Sequence, residues 1–322
     1  MEPPFDFELS FRFVCTAPRA AAHLGFEPYV DVWQGREYRR AVWLAGRRRP
    51  VLLRLRNQGT VEQPRLQWRA ALPAKGAAEG GAESGAATEA EAAALTAGET
   101  AALARLAAHI VSAPVRLADF HAVIGRDAVL RGLARRFAGL KIIRAPSLYE
   151  CLVSTVLEQQ LNFHFANMVK RRLLAAYGEA VEYEGRTYWA YPPPQRLAAL
   201  RPDELRPLQI SGRKASYVIG IAQAVLAGEL AAERLAGQPA AAARETLLRL
   251  RGIGRWTAEY AALRGLGDDD ALPAEDVGLQ KTVGQVYGLR QYATSRGIER
   301  RWRAFAPWRG YATYYCWFTQ WA

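Results

Sequence analysis

The run TLLRLRGIGRWTAEYAALRGLGDDDALPAEDVGLQK, from Thr246 to Lys281, decides the fold. Leu247, Leu248 and Leu250 read as the apolar end of one helix, Arg251-Gly252-Ile253-Gly254 as a tight turn, and Trp256 to about Arg264 as a second helix. Two glycines around one apolar residue let the backbone reverse while Ile253 stays between the helices. Such a turn leaves free amides at the start of the following helix, where partial positive charge gathers and a phosphate can dock without a cationic side chain. Beyond a Gly/Asp-rich loop, Leu-Pro-Ala-Glu-Asp puts Asp276 at a helix start. The pattern is a glycine hairpin between helices followed by one placed carboxylate.

With 322 residues the chain is long enough for two domains, each with its own core. A formal net charge of +12 favours a polyanionic partner and salt-sensitive binding to it. Cys15, Cys151 and Cys316 are far apart and lack the close spacing of a zinc or iron-sulfur site, so reduced thiols are expected. No apolar run approaches the roughly 20 residues that span a membrane, and a cytoplasmic protein is expected.

Outward from the hairpin, the fold class reads as α+β: an N-terminal antiparallel sheet domain at 1–72, a low-complexity linker at 73–100, and an all-helical domain at 101–322 with its hairpin at 247–264. Phe5, Phe7, Leu9, Phe11 and Phe13 alternate with polar residues, the period of a half-buried strand. Further strands are expected at Tyr29 to Trp33, Tyr38 to Leu44 and Val51 to Leu55, after which the Ala/Gly/Glu-rich 73–100 lacks the apolar bulk to order itself. Arg36, Arg39, Arg40, Arg47, Arg48, Arg49, Arg54 and Arg56 either touch a polyanion or blunt a sheet edge, and the latter reading is favoured because no placed carboxylates accompany them. Ser147 and Glu150 spell a capping box before an apolar helix that ends at Glu158-Gln159-Gln160-Leu161-Asn162, where Asn162 can cap the next helix. The C-terminal helix, Trp308 to Trp321, carries an aromatic stripe that is expected mostly to fill core.

The pattern L-R-G-I-G-R-W-T-A-E-Y with P-A-E-D about twenty residues on resembles the helix-hairpin-helix/Gly-Pro-Asp superfamily of DNA base-excision glycosylases, most closely the 3-methyladenine DNA glycosylase II (AlkA) type, over about Leu117 to Phe318. The resemblance implies double-stranded DNA with a damaged base as partner, a monomeric enzyme, and hydrolytic release of alkylated purines. It assigns the chemistry to Asp276, with Glu275 as the rival acid, and the base pocket to Trp256, Tyr260 and Trp317; helix packing is the competing role for Trp256 and Tyr260. It assigns DNA contacts to Gly252, Gly254, Arg255 and Thr257 in the hairpin, and to Gln159 and Gln160, with Gln160 as the wedge that fills the gap left by the extruded nucleotide. Backbone-satisfying glutamines at a helix junction are the alternative. Tyr191-Pro192-Pro193-Pro194 and Arg213-Lys214-Ala215 match a turn and a helix start of the family, with Arg213 and Lys214 as candidate phosphate contacts. The family also holds a monovalent cation, Na+ or K+, on hairpin carbonyls, here those of Leu248, Leu250 and Ile253; no other cofactor is implied.

The chemistry follows from the residue types. Extruding a base costs a few kcal/mol, electron-rich rings attract an electron-poor alkylated purine by about 0.5 to 2 kcal/mol, and a carboxylate stabilises the oxocarbenium-like sugar formed as the bond breaks. Bifunctional relatives place a Schiff-base lysine on the second hairpin helix, where this chain has Trp256, so strand lysis is not expected. An oxidised-guanine glycosylase of the same fold and a non-catalytic DNA-binding module are the alternatives, and Asp276 with its aromatic neighbours argues against the second.

Overall fold

A computed structural model describes residues 1–15, 30–34, 36–72, 95–231, 234–235 and 237–320. The first element is a helix, α1 (Phe7–Cys15), where alternation predicts a strand. Phe7 and Phe11 are two apart in the odd series and also four apart, so both periods fit. The helix wins because Asp6 accepts from Leu9 N at 2.8 Å as a cap, and Ser10, on the polar side of the strand reading, is fully buried with its Oγ accepting from Lys141 N at 3.0 Å. Phe7 and Phe11 stack with centroids 4.8 Å apart.

Strands β1 (Val32–Gln34), β2 (Glu37–Val42), β3 (Val51–Asn57) and β4 (Leu66–Ala71) form an antiparallel meander in chain order. β4 has no counterpart among the expected strands, and of the strand expected at Tyr29 to Trp33 only Val32 and Trp33 pair, extended by Gln34, Tyr29 lying outside the described residues. One face of the sheet, with Tyr38, Val42, Val51, Leu53 and Leu55, packs on α1 and on α2 (Ala97–Ile110) through Leu103, Ala107 and Ile110. The helix at the expected linker's end therefore belongs to the sheet's core. It starts at Ala97 behind a reciprocal Thr96/Glu99 capping box, with Arg47 and the Thr96 amide holding the Glu99 carboxyl down to about 2. The rest of the expected linker, 73–94, lies outside the described residues.

The sheet's other face is covered too, by a hairpin of β5 (Glu179–Tyr183) and β6 (Arg186–Ala190), an interruption of the helical region that the spacing does not signal. Burial of both faces overturns the sheet-edge reading for Arg39, Arg40 and Arg54, each less than 10% exposed. On the hairpin side, Arg39 and Arg54 pair with Glu37 at 2.6 and 2.9 Å and donate to the Tyr188 and Tyr183 hydroxyls. On the opposite side Arg40 joins Asp31 at 2.5 Å to Glu150. A buried cation is tolerated only when paired and hydrogen-bonded, and these are.

The helical part comprises α3 (Leu117–Val123), α4 (Ala128–Arg136), α5 (Leu148–Glu158), α6 (Phe163–Tyr177), the short α7 (Pro194–Ala198) and α8 (Pro202–Leu205), α9 (Gly212–Leu226), α10 (Ala240–Leu248), α11 (Arg255–Ala261), α12 (Val277–Val286), α13 (Ser295–Trp302) and α14 (Arg309–Phe318). They bury two apolar cores. One gathers α3, α4, α12 and α14 around Phe120, Trp302, Tyr311 and Phe318; the other gathers α5, α9 and α11 around Leu152, Val156, Val218 and Ala258. Tyr260 packs against both, so the hairpin's second helix stands where the two cores meet. Ser147 caps α5 by accepting from Glu150 N at 3.1 Å, but the expected box stays half-made because the Glu150 side chain turns to Arg40.

Candidate active site

In the hairpin each glycine has its own reason. Gly252 has φ +89°, and a Cβ there would lie 2.2 Å from Tyr217 Cδ2. Gly254 caps α11 with φ −89°, open to any residue, and a Cβ there meets no atom within 4 Å. The protein's own packing therefore demands glycine at 252 and not at 254. Leu248 and Leu250 sit before the turn and Ile253 is buried inside it.

From α11 the chain passes through one π-helical turn (Ala262–Leu266), a distortion common at functional sites, before the loop that ends at Asp276. Asp276 caps α12, its Oδ1 accepting from Leu279 N at 2.6 Å. Trp317 Nε1, from α14, donates to the same oxygen at 3.0 Å, and Trp256 Nε1, from α11, donates to Oδ2 at 2.9 Å. A carboxylate offers about four acceptor sites; three fixed donors orient it and leave about one for an incoming partner. Tyr260 lies between the indoles, its ring 5.8 Å from Trp256 and 5.9 Å from Trp317. The three aromatic candidates and Asp276 thus form one constellation. The rival acid Glu275 is exposed and Lys281 is exposed.

A cavity of about 620 Å³ opens beside this constellation, lined by Asp276, Trp256 and Tyr260. Trp317, 6% exposed, stands behind the carboxylate and is absent from that lining, which corrects its expected place in the wall. The far wall is more polar than the aromatic candidates suggest. Lys170 pairs with Glu158 at 2.6 Å, Arg264 donates to the Tyr260 hydroxyl at 3.4 Å, and Arg40 from the sheet reaches the cavity paired with Glu150 of α5. Burial pushes the Tyr260 hydroxyl up, so it remains a donor at neutral pH. No local pattern marks Glu158, Lys170 or Arg264; only the helix packing brings them together.

The junction between α5 and α6 is bound to the hairpin. Gln159 Nε2 donates to Gly252 O and to Thr257 Oγ1, both at 3.0 Å. Thr257 is 2% exposed. The side chains of Gln159, half-buried, and Thr257, buried, both expected at DNA, therefore face each other. Lys214, expected at a phosphate, donates instead to Leu157 O at 2.8 Å and Gln159 O at 2.7 Å, beneath the same junction. Gln160 does stand out: it is exposed and its φ of +56° turns the chain sharply at the tip, with Asn162 capping α6 as expected. Arg255 is exposed and pairs with Glu299. Cys151 and Cys316 are buried free thiols; the side chain of Cys15 lies outside the described residues. Among the described residues no group of three or more His, Cys, Asp or Glu could hold a metal, and no helix is long and apolar enough to cross a membrane.

An antiparallel sheet before two helical cores, with a glycine hairpin whose second helix brings Trp256, and the C-terminal helix Trp317, to one capped carboxylate, defines a helix-hairpin-helix protein of the base-excision class. The family described as "HhH-GPD superfamily base excision DNA repair protein" matches residues 153–307. The Escherichia coli protein named DNA-3-methyladenine glycosylase 2 is 31% identical over 227 residues, 69% of this chain and 75% of that one. The Bacillus subtilis DNA-3-methyladenine glycosylase is 36% identical over 201 residues, 62% of this chain; the match spans 66% of that relative's length, a little under two thirds. The solved 3-methyladenine DNA glycosylase of Archaeoglobus fulgidus superposes with a TM-score of 0.75 at 21% identity, over 99% of this chain and 97% of its own, a likeness of fold. The chain belongs to the HhH-GPD superfamily and is of the AlkA type.

Proposed function

We propose that the protein is a monofunctional DNA N-glycosylase that extrudes an alkylated purine, of the 3-methyladenine kind, from duplex DNA and releases it by hydrolysis. The observation that carries this reading is Asp276, oriented by Trp256 and Trp317 at the mouth of a cavity large enough for a base. There the carboxylate stabilises positive charge on the sugar while its remaining acceptor site orients water for attack. The rings of Trp256 and Tyr260 meet the extruded base from one side. Exposed Gln160 at the α5–α6 tip occupies the space that the base leaves, and Gln159 acts through its grip on the hairpin rather than at the DNA. The protein works as a single chain in the cytoplasm, where its substrate lies.

Gly254 supports DNA at the hairpin, because the open space at its Cα is what a closely approaching phosphate backbone needs. Gly254→Ala should weaken duplex binding with little change in melting temperature, whereas Gly252→Ala should lower the melting temperature itself. Calorimetry beside fluorescence anisotropy checks both, and equal loss of stability in the two variants would remove the distinction.

A monovalent cation at the carbonyls of Leu248, Leu250 and Ile253 belongs to the same reading. Among the described residues no amide reaches Leu248 O or Ile253 O, and Leu250 O, which accepts from Ile253 N at 3.1 Å, keeps a second lone pair. The donor set suits such an ion, which when bound would add positive charge at the phosphate site.

The function is tested by the fate of the strand. Reaction of a duplex carrying one alkylated purine should leave an intact abasic strand that breaks only on alkali, with no adduct trapped by borohydride. Efficient trapping would reveal a Schiff base and exclude the hydrolytic mechanism.

A further inference from the structure

We propose that α13, with Arg303 in helical conformation at its C-cap, is a second contact to the DNA backbone, carried by Arg296, Arg300 and Arg303; this rests on the reading of the protein as duplex-binding. Contacts at two points fix the helix relative to the site. At its start, Ser295 Oγ accepts from Gln280 Nε2 at 3.0 Å and Ala293 N donates to Gln280 O at 2.9 Å, one turn beyond Asp276. Farther along, Glu299 pairs with Arg255, the first residue of α11. The helix therefore runs from the catalytic cap to the hairpin.

Its own faces are sorted by charge. Ile298 and Trp302 are buried, while Arg296, Arg300 and Arg303 are exposed. At 3.6 residues per turn those three spread over roughly 60° of the helix surface, a continuous stripe. Glu299 lies between the stripe and the buried face, so the stripe borders Arg255. No carboxylate among the described residues pairs with Arg296, Arg300 or Arg303. Their neighbours differ: Arg244 is paired with Glu259 and Asp268, Arg255 with Glu299, and Arg309 with Asp270. The one acid on α13 is engaged by the hairpin and does not neutralise the stripe. Arg301, on the other side, lies 4.3 Å from the Tyr287 ring centroid and takes no part.

Like charges at i and i+4 disfavour a helix unless an anion lies over them. A row of unpaired guanidinium groups continuous with a hairpin that offers amides to phosphate fits one occupant, the sugar-phosphate backbone of the duplex already held at the hairpin. Its role is to lengthen the grip, outside the base cavity and indifferent to sequence.

The test compares R296Q/R300Q/R303Q with R105Q/R126Q/R135Q, which removes the same net charge from exposed positions on other elements. Affinity for an undamaged duplex is measured by anisotropy over a salt series, with thermal melting alongside. Losing three phosphate contacts should make the slope of log K against log salt shallower by about 2 to 3 in the stripe variant, since each contributes about 0.9. The control should keep the wild-type slope. A stripe variant with the wild-type slope, or a control that changes as much, would overturn the proposal. If the triple variant melts early, R296Q and R300Q singly should each lower the slope by about 0.9; two unchanged slopes would overturn it equally. A wild-type protein that binds no duplex would instead overturn the underlying reading.

Discussion

Replacing Asp276 with asparagine should lower the rate of base release at least about 100-fold in single-turnover reactions, because removing one preorganised electrostatic partner of a developing charge typically costs that much. The geometry adds a second effect. Oδ1 accepts from both Leu279 N and Trp317 Nε1, and Oδ2 accepts from Trp256 Nε1. An asparagine oxygen placed at Oδ1 keeps the cap and the Trp317 bond, but its amide then meets the Trp256 N–H, donor against donor. Stability should fall by about 1 to 3 kcal/mol for the bond left unmade, while the capped fold survives. Duplex affinity should hold or rise slightly, since a carboxylate near phosphates is lost. Rates are compared with enzyme in excess over a 3-methyladenine or 7-methylguanine duplex, with melting temperature measured in parallel. A folded Asp276→Asn protein as fast as wild type would reduce the carboxylate to a helix cap.

The largest stability effect is expected at Glu150. Glu150→Ala strips the buried Arg40 guanidinium of one of its two carboxylates and should cost about 3 to 5 kcal/mol in urea unfolding. Burial pushes the Glu150 carboxyl up against the opposing pull of Arg40, so the pair is a compromise between desolvation and attraction. The double replacement Arg40→Met with Glu150→Leu should recover much of that loss, because no uncompensated charge then remains. Because Glu150 sits on α5, which leads to Gln159 and Gln160, the single variant should also loosen the junction, seen as faster amide exchange there. A loss below about 1 kcal/mol would mean that Asp31 alone satisfies Arg40, contrary to this account.

The difference in how these two sites could be read from sequence is physical. Asp276 and the hairpin are local: glycine spacing, a capping position and helical periodicity all act within a few residues. The same holds for Asn162 at the α6 cap. The failures come where a distant partner decides. Phe7 and Phe11 satisfy two periods at once, and the Asp6 cap selects the helix. Arg39, Arg40 and Arg54 look like edge charges until β5–β6 and α5 cover the sheet and supply Glu184 and Glu150 from more than a hundred residues away. Lys214 and Thr257 have the residue types of DNA contacts, yet Lys214 holds the α5–α6 junction to α9 and Thr257 holds it to the hairpin. The charged wall of Glu158, Lys170 and Arg264 is legible only in the packed fold.

The central claim, that the Asp276 constellation releases alkylated purines from duplex DNA, is tested most directly by chromatographic detection of free base after incubating the wild-type protein with a panel of duplexes, each carrying one damaged base. Free 3-methyladenine or 7-methylguanine should appear in equal amount to alkali-labile sites, in strands that remain whole until treated. Release of 8-oxoguanine alone, or no free base from any member of the panel while the protein binds the duplex, would contradict the account.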